Sequence, residues 1–161
     1  MSRSEAYKAL ITVEKAHLVD IPQLCELLEL LFLQEIEFQP DAARQEIALH
    51  EIINNEHIGS ILVLRDKSQV FGMVSVLYTV STALGGRVGI VEDLIVRPGY
   101  RNQGWGSLLI REAIKFAMAA GCLRLTVLTD GENLPAMRFY ERHGFAASSM
   151  KPFRLFPTDA V

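Results

Sequence analysis

Residues Val88 to Ala120 hold three things in unbroken order: an apolar run with the adjacent acids Glu92 and Asp93, a basic turn broken by Gly104 and Gly106, and a long amphipathic stretch. This order constrains the chain more than any other feature. A strand led through a glycine turn into a helix aims backbone N–H groups at one point, which suits a phosphorylated ligand. The helix predicted from Gly104 to Ala120 is apolar over most of its girth. Leu109, Ala113, Phe116 and Ala120 share one face, Ile110, Ile114 and Met118 lie beside it, and Arg111, Glu112 and Lys115 form a narrow wet strip. Such a helix packs on a sheet, with Gly121 as its C-terminal cap. Leu123 to Thr129 then reads as a strand parallel to the Val88 strand, because a helix connects them.

The flanking sequence supplies the remaining elements. Leu10 to Val13 reads as a short strand. Asp20-Ile21-Pro22 reads as a helix start with Asp20 as cap. Leu24, Leu27, Leu28, Leu31 and Phe32 continue that helix as an apolar stripe. Pro40-Asp41 opens a second helix through Ile47, Ile52 and Ile53. Between the two helices, Gln34-Glu35-Ile36-Glu37-Phe38-Gln39 mixes acids with apolar groups and is a candidate site lining. Gly59 to Arg65 and Val70 to Val80 form a predicted antiparallel hairpin around Asp66-Lys67-Ser68-Gln69, with Gly72 marking a bulge or close approach. After the turn at Ser81 to Gly86 comes the Val88 to Val96 strand. A short helix starts at Asn133-Leu134-Pro135 and ends at Gly144, with Arg142 and His143 in its last turn. Phe145 to Phe156 is expected to supply a closing strand or strands, with Pro152 disturbing the register.

Size and charge narrow the classes of function. The 161 residues suffice for one domain with a sizeable core, and a chain that is half apolar is not of disordered composition. A net charge of -3 makes no broad electrostatic case for nucleic acid. No apolar run is long enough for a membrane span, and Met1 to Lys8 lacks the apolar core of a signal peptide, so the cytoplasm is the expected location. Cys25 and Cys122 lie in apolar, helix-like surroundings without a CxxC pattern and read as reduced packing residues. His17, His50, His57 and His143 are scattered, so no metal site is expected.

The glycine turn Arg101-Asn102-Gln103-Gly104-Trp105-Gly106 is not a Walker loop, which ends in Gly-Lys-Ser/Thr, nor a Rossmann fingerprint, which needs a third glycine after an early strand. A tight strand-to-helix turn would use the same glycine pair. However, Val96-Arg97-Pro98, Tyr100-Arg101, Gly104 and Gly106 together resemble the acyl-CoA-binding signature of the GNAT family of N-acetyltransferases. Asn133, Ala136, Phe139-Tyr140-Glu141 and Gly144-Phe145 resemble that family's second segment, in the right order and at the right separation. The resemblance implies one acyl-CoA N-acyltransferase domain over residues 1–161. It implies an α/β (α+β) fold: a mixed, mostly antiparallel central sheet, helices on both faces, and a splayed parallel strand pair. It also implies acetyl-CoA as cosubstrate. The backbone of Leu94, Ile95 and Val96 would hold the pantetheine arm, which Asn133 would also contact. Gln103, Gly104, Trp105, Gly106 and Ser107 would hold the pyrophosphate, with Arg101 and Asn102 beside it. The family often forms dimers, so a homodimer is allowed for.

The implied reaction is direct transfer of the acetyl group to an amine. Glu92, on the central strand just before a presumed bulge, is the candidate base or water-positioning carboxylate. The Glu92-Asp93 pair resembles the central strand of polyamine and related small-amine acetyltransferases. On a regular strand these two acids point to opposite faces, so only one meets the amine unless a bulge intervenes. Tyr140 is the candidate general acid at the thiol, and backbone N–H near Val96 is the candidate oxyanion donor. Glu35, Glu37 and Asp93 are candidate acceptor-binding groups. A small-molecule amine is therefore the expected acceptor. A protein or peptide acetyltransferase, and an acyl-CoA-binding regulatory domain without turnover, are the alternatives.

Overall fold

The computed structural model describes residues 10–35, 37–67 and 69–157. The reading of Met1 to Lys8, and the places given to Ile36 and Ser68 in their loops, lie outside the described residues. The chain packs as two compact units, Met1–Leu128 and Thr129–Val161.

The first unit is built on a five-stranded sheet in simple sequence order. Its strands are β1 (Ile11–Lys15), β2 (Gly59–Asp66), β3 (Gln69–Ser81), β4 (Gly86–Val96) and β5 (Leu125–Val127). The first four pair antiparallel, while β4 and β5 are parallel. Three helices accompany them: α1 (Ile21–Phe32), α2 (Ala42–Asn54) and α3 (Trp105–Ala119). A parallel pair needs a long crossover, and α3 is that crossover. The architecture is the mixed α/β sheet, mostly antiparallel, that the GNAT-like sequence features imply.

Strand alternation sends side chains of β2 and β3 to two faces, and both faces are buried. On one face, Ile61, Val63, Val70, Met73 and Ile95 meet Leu24, Leu27 and Leu28 of α1 and Leu49 of α2. The intervening residues Leu62, Leu64, Val74 and Val76 are equally buried, on the face that takes α3. Leu109, Ile110, Ala113 and Ala117 of α3 are buried in turn, while Met118, predicted beside them, is exposed. Each fully buried leucine or isoleucine here contributes about 1.5–3 kcal/mol.

Two ties fix α1 to the sheet. Asp20 precedes α1 as predicted, but its side chain makes no capping bond to that helix. Its carboxylate accepts from the His17 N–H at 2.8 Å and pairs with Arg65 of β2 at 2.7 Å. A buried carboxylate needs that countercharge more than one helix N–H needs a cap. At the other tie, Gln23 Oε1 accepts from the Val70 N–H, and Arg97 pairs with Glu26. Asp41 does cap α2, accepting from the Arg44 N–H at 3.1 Å. Gly72 is a close approach, as anticipated: a Cβ there would lie 3.0 Å from a Leu64 methyl and 3.1 Å from the Ile95 carbonyl.

The second unit holds helix α4 (Leu134–Arg142). Asn133 caps it, accepting from the Ala136 N–H at 3.1 Å, and Gly144 ends it with φ of +90°. The closing strand expected between Phe145 and Phe156 is absent: this segment is irregular, and Met150, Phe153 and Leu155 are largely exposed. Pro152 removes a backbone donor from the middle of the segment, which disfavours a strand.

Candidate active site

Strand β4 leads into the site through a bulge. Its register with β3 runs regularly to Ser75↔Glu92 and resumes at Met73↔Ile95, with a shift between them. Asp93 absorbs the extra residue with φ of +54°. This left-handed conformation is uncommon outside glycine, and aspartate is among the residues that tolerate it. A bulge thus intervenes at the acid pair, so the regular alternation of faces does not govern Glu92 and Asp93.

The bulge also marks where β4 leaves β5. Gly89, Ile90 and Val91 pair with Leu125, Thr126 and Val127. Beyond Val91, β4 continues through Leu94, Ile95 and Val96 against β3, with no described partner on the β5 side. The Ile95 and Val96 side chains are buried, so this stretch offers a ligand backbone groups. The Val96 carbonyl already accepts from Arg101 Nε at 2.9 Å.

The carboxylates at the bulge differ sharply. Glu92 is exposed. Asp93 is partly exposed, but protein surrounds most of its carboxyl. Burial, the charge of Glu92 and the charge of Glu35 push it up to about 6, against the lowering effect of its hydrogen bond with Ser75. Ser75 is fully buried, and its hydroxyl donates to Asp93 Oδ2 at 3.2 Å. Glu35, in the turn after α1, is partly buried and acts on this centre, while Glu37 is exposed on the following bend. Ser75 escaped the sequence reading. The available signal was a lone hydroxyl inside the apolar run Val74-Ser75-Val76, whose register against the acid pair only the folded sheet reveals.

The glycine turn follows β4 through a short 3-10 turn at Pro98–Tyr100. Asn102 and Gly104 take positive φ of 61° and 86°. The first helical bond of α3 runs from the Leu108 N–H to the Gly104 carbonyl, so the N–H groups of Trp105, Gly106 and Ser107 point out of the helix end. That geometry, with its share of the helix dipole, fits a pyrophosphate. Trp105 turns its ring inward against Phe71, at 5.9 Å between centroids, and Phe71 stacks on Tyr100 at 4.4 Å. Trp105 thus offers a ligand its backbone rather than its indole. Arg101, Asn102 and Gln103 are exposed on the turn, and Ser107 is partly buried. No atom lies within 4 Å of the place a Cβ would occupy on Gly104. Gly104→Ala is therefore expected to lose only the left-handed backbone preference, about 1–2 kcal/mol. Urea unfolding should show a lower midpoint at unchanged slope.

In the second unit, Tyr140 is partly buried on α4, with edge contacts to Phe139 and Phe145 at 5.3 and 5.7 Å. The amide oxygen of Asn133 is committed to capping that helix. Among the described residues, no group of His, Cys, Asp or Glu side chains is arranged to hold a metal ion, and no helix is long and apolar enough to cross a membrane.

Residues 21–145 match the Acetyltransferase (GNAT) family. The chain is 34% identical over 80 residues to a glucosamine 6-phosphate N-acetyltransferase of Trypanosoma brucei brucei, covering 49% of this chain and 52% of that protein. It is 30% identical over 128 residues to an aminoalkylphosphonate N-acetyltransferase of Salmonella typhimurium, covering 80% of this chain and 77% of that one. The chain thus spans about half the length of the first of these curated relatives. The fold superposes on an acetyltransferase structure from Clostridium acetobutylicum with acetyl-CoA, at a TM-score of 0.76 and 15% identity, covering 90% of this chain and 96% of the other.

Proposed function

The chain belongs to the Acetyltransferase (GNAT) family, and from that premise we propose that it moves the acetyl group of acetyl-CoA directly to a primary amine of a small molecule. The observation that carries this reading is the parting of β4 from β5 at a bulge that holds Glu92 and Asp93, directly before the glycine turn. The relatives named above are N-acetyltransferases, and the Clostridium acetobutylicum protein contains acetyl-CoA. Residues 1–161 act here as one acyl-CoA N-acyltransferase domain.

In this reading the pantetheine arm pairs with the backbone of Leu94 to Val96. The pyrophosphate rests on the N–H groups of Gly104 to Ser107, with Arg101, Asn102 and Gln103 around it. An alkyl ammonium has a pKa near 10.4, so at pH 7 about one molecule in 2,500 is neutral, a cost of roughly 4.6 kcal/mol. Glu92, exposed at the bulge, takes the amine proton directly or through one water. The neutral nitrogen attacks the acetyl carbonyl, and a backbone N–H near Val96 meets the developing oxyanion. Collapse breaks the C–S bond, and Tyr140 protonates the thiolate.

Acceptor selection follows from charge. Glu92 and, from the loop after α1, Glu35 both act on the Asp93 carboxyl at the bulge, and Glu37 lies on the same loop as Glu35. A second ammonium on the acceptor, as in a diamine or polyamine, is attracted there, whereas a phosphorylated amine is repelled.

The test is thiol release from acetyl-CoA against a panel of diamines, polyamines, amino sugars, phosphorylated amines and peptides, with mass spectrometry of each product. Acetylated diamine is the expected product; transfer to peptides alone, or to no amine, contradicts the reading. Tyr140→Phe should lower kcat about 100-fold while leaving the affinity for acetyl-CoA unchanged. That is the low end for acid catalysis, because a thiol leaves with little help. Isothermal titration and steady-state rates separate the two quantities, and an unchanged kcat removes Tyr140 from the chemistry.

A further inference from the structure

Ser75 sits at a position where a hydroxyl needs a reason. It is fully buried in β3, between Val74 and Val76, which are also fully buried. A hydroxyl taken out of water without a partner is costly. Here the partner is Asp93 Oδ2 at 3.2 Å. Asp93 is itself in a left-handed conformation, on the stretch where β4 steps out of register. The bond therefore spans the bulge, joining the regular strand to the residue that departs from it.

We propose that Ser75 is a positioning residue: its buried hydroxyl holds the Asp93 carboxylate across the bulge, beside Glu92, as a second acceptor for the amine proton. The proposal rests on the acetyl-transfer reading above. The step is balanced. An ammonium gives its proton to the Asp93 carboxylate, leaving a neutral amine and a carboxylic acid. The amine then forms the N–C bond as the C–S bond breaks; the nitrogen gives up its second proton to solvent, the thiolate takes one from Tyr140, which is reprotonated from solvent, and Asp93 returns the first proton to solvent.

The described groups acting on Asp93 come from three elements. Glu92 on β4 and Glu35 after α1 disfavour its charged form, and Ser75 on β3 favours it. With burial they bring the carboxyl to about 6, close to the working range of a general base. Ser75 thus shifts the balance of the group toward its ionised, proton-accepting form.

The experiment compares wild type, Ser75→Ala and Ser75→Thr. Carbon-13 NMR of the side-chain carboxyls gives the Asp93 titration midpoint, assigned by the signal lost in Asp93→Asn. The pH profile of kcat/KM for a diamine gives the acid limb of the reaction. In Ser75→Ala the midpoint should rise by about half a pH unit, roughly a threefold change in proton affinity. The acid limb should move with it, and Ser75→Thr should restore both. An unshifted midpoint overturns the hold of Ser75 on Asp93. A shifted midpoint with an unmoved limb overturns the role of Asp93 as proton acceptor. If the wild type acetylates no amine, the functional reading falls, and the NMR midpoint still decides whether Ser75 holds Asp93.

Discussion

Glu92→Gln is expected to lower kcat/KM for a primary amine about a thousandfold at pH 7, within the range that a positioned base contributes. The substitution keeps the size and exposure of the side chain at the β4 bulge and removes only its ability to accept a proton. The variant must then draw on the small fraction of amine already neutral in water. That fraction rises tenfold per pH unit up to the amine pKa, so the variant should gain rate steadily towards pH 10 while the wild type levels off earlier. A constant ratio of the two rates across this range would sink the assignment of Glu92 as base, leaving it at most a binding group. Adding Asp93→Asn to Glu92→Gln tests the second carboxylate. If Asp93 accepts protons in the absence of Glu92, the double variant falls well below the single one. If the two variants are equal, Asp93 takes no part.

The elements written in local pattern were legible in the chain. The apolar stripe of α1, the glycines around α3 and the helix start at Asn133-Leu134-Pro135 are set by residues close in sequence, and the folded chain places them where the local pattern does. The parallel pairing of β4 with β5 followed from the helix between them. Features that depend on distant partners were hidden. Asp20 reads as a cap, yet it serves Arg65, which is far along the chain. Phe145 to Phe156 has strand-forming residues, but no strand forms there and Pro152 interrupts it. The site divides the same way. The acid pair and the glycine turn are visible as residue types, and a bulge just after Glu92 is expected, while the register between β3 and β4 that brings Ser75 to Asp93 appears only in the folded sheet. A register shift has no local signature when, as here, a non-glycine residue takes the positive φ.

The same bulge predicts a conflict between stability and activity. Asp93→Asn is expected to stabilise the protein by about 3 kcal/mol at pH 8, because each tenfold change in proton affinity on folding is worth about 1.4 kcal/mol. The carboxyl is raised from 3.8 to about 6 in the folded chain, so the folded state disfavours the ionised form. The sign follows from proton counting. Well below pH 3.8 the carboxyl is protonated folded or unfolded, and it contributes no penalty. As pH rises from 4 to 6 the unfolded chain releases its proton first, stability declines, and above pH 6 the penalty is complete. Asparagine carries no charge, still offers an oxygen to Ser75, and adopts positive φ as readily as aspartate. Urea unfolding of both proteins between pH 4 and pH 8 measures the gap, which should open with rising pH and nearly close at pH 4. A gap independent of pH would mean that backbone preference, not charge, separates them. A variant less stable than wild type at pH 8 would mean that Asp93 is a favourable charge in the fold. The expected stabilisation, joined to a loss of turnover, would identify Asp93 as a group the fold carries at a cost because the reaction uses it.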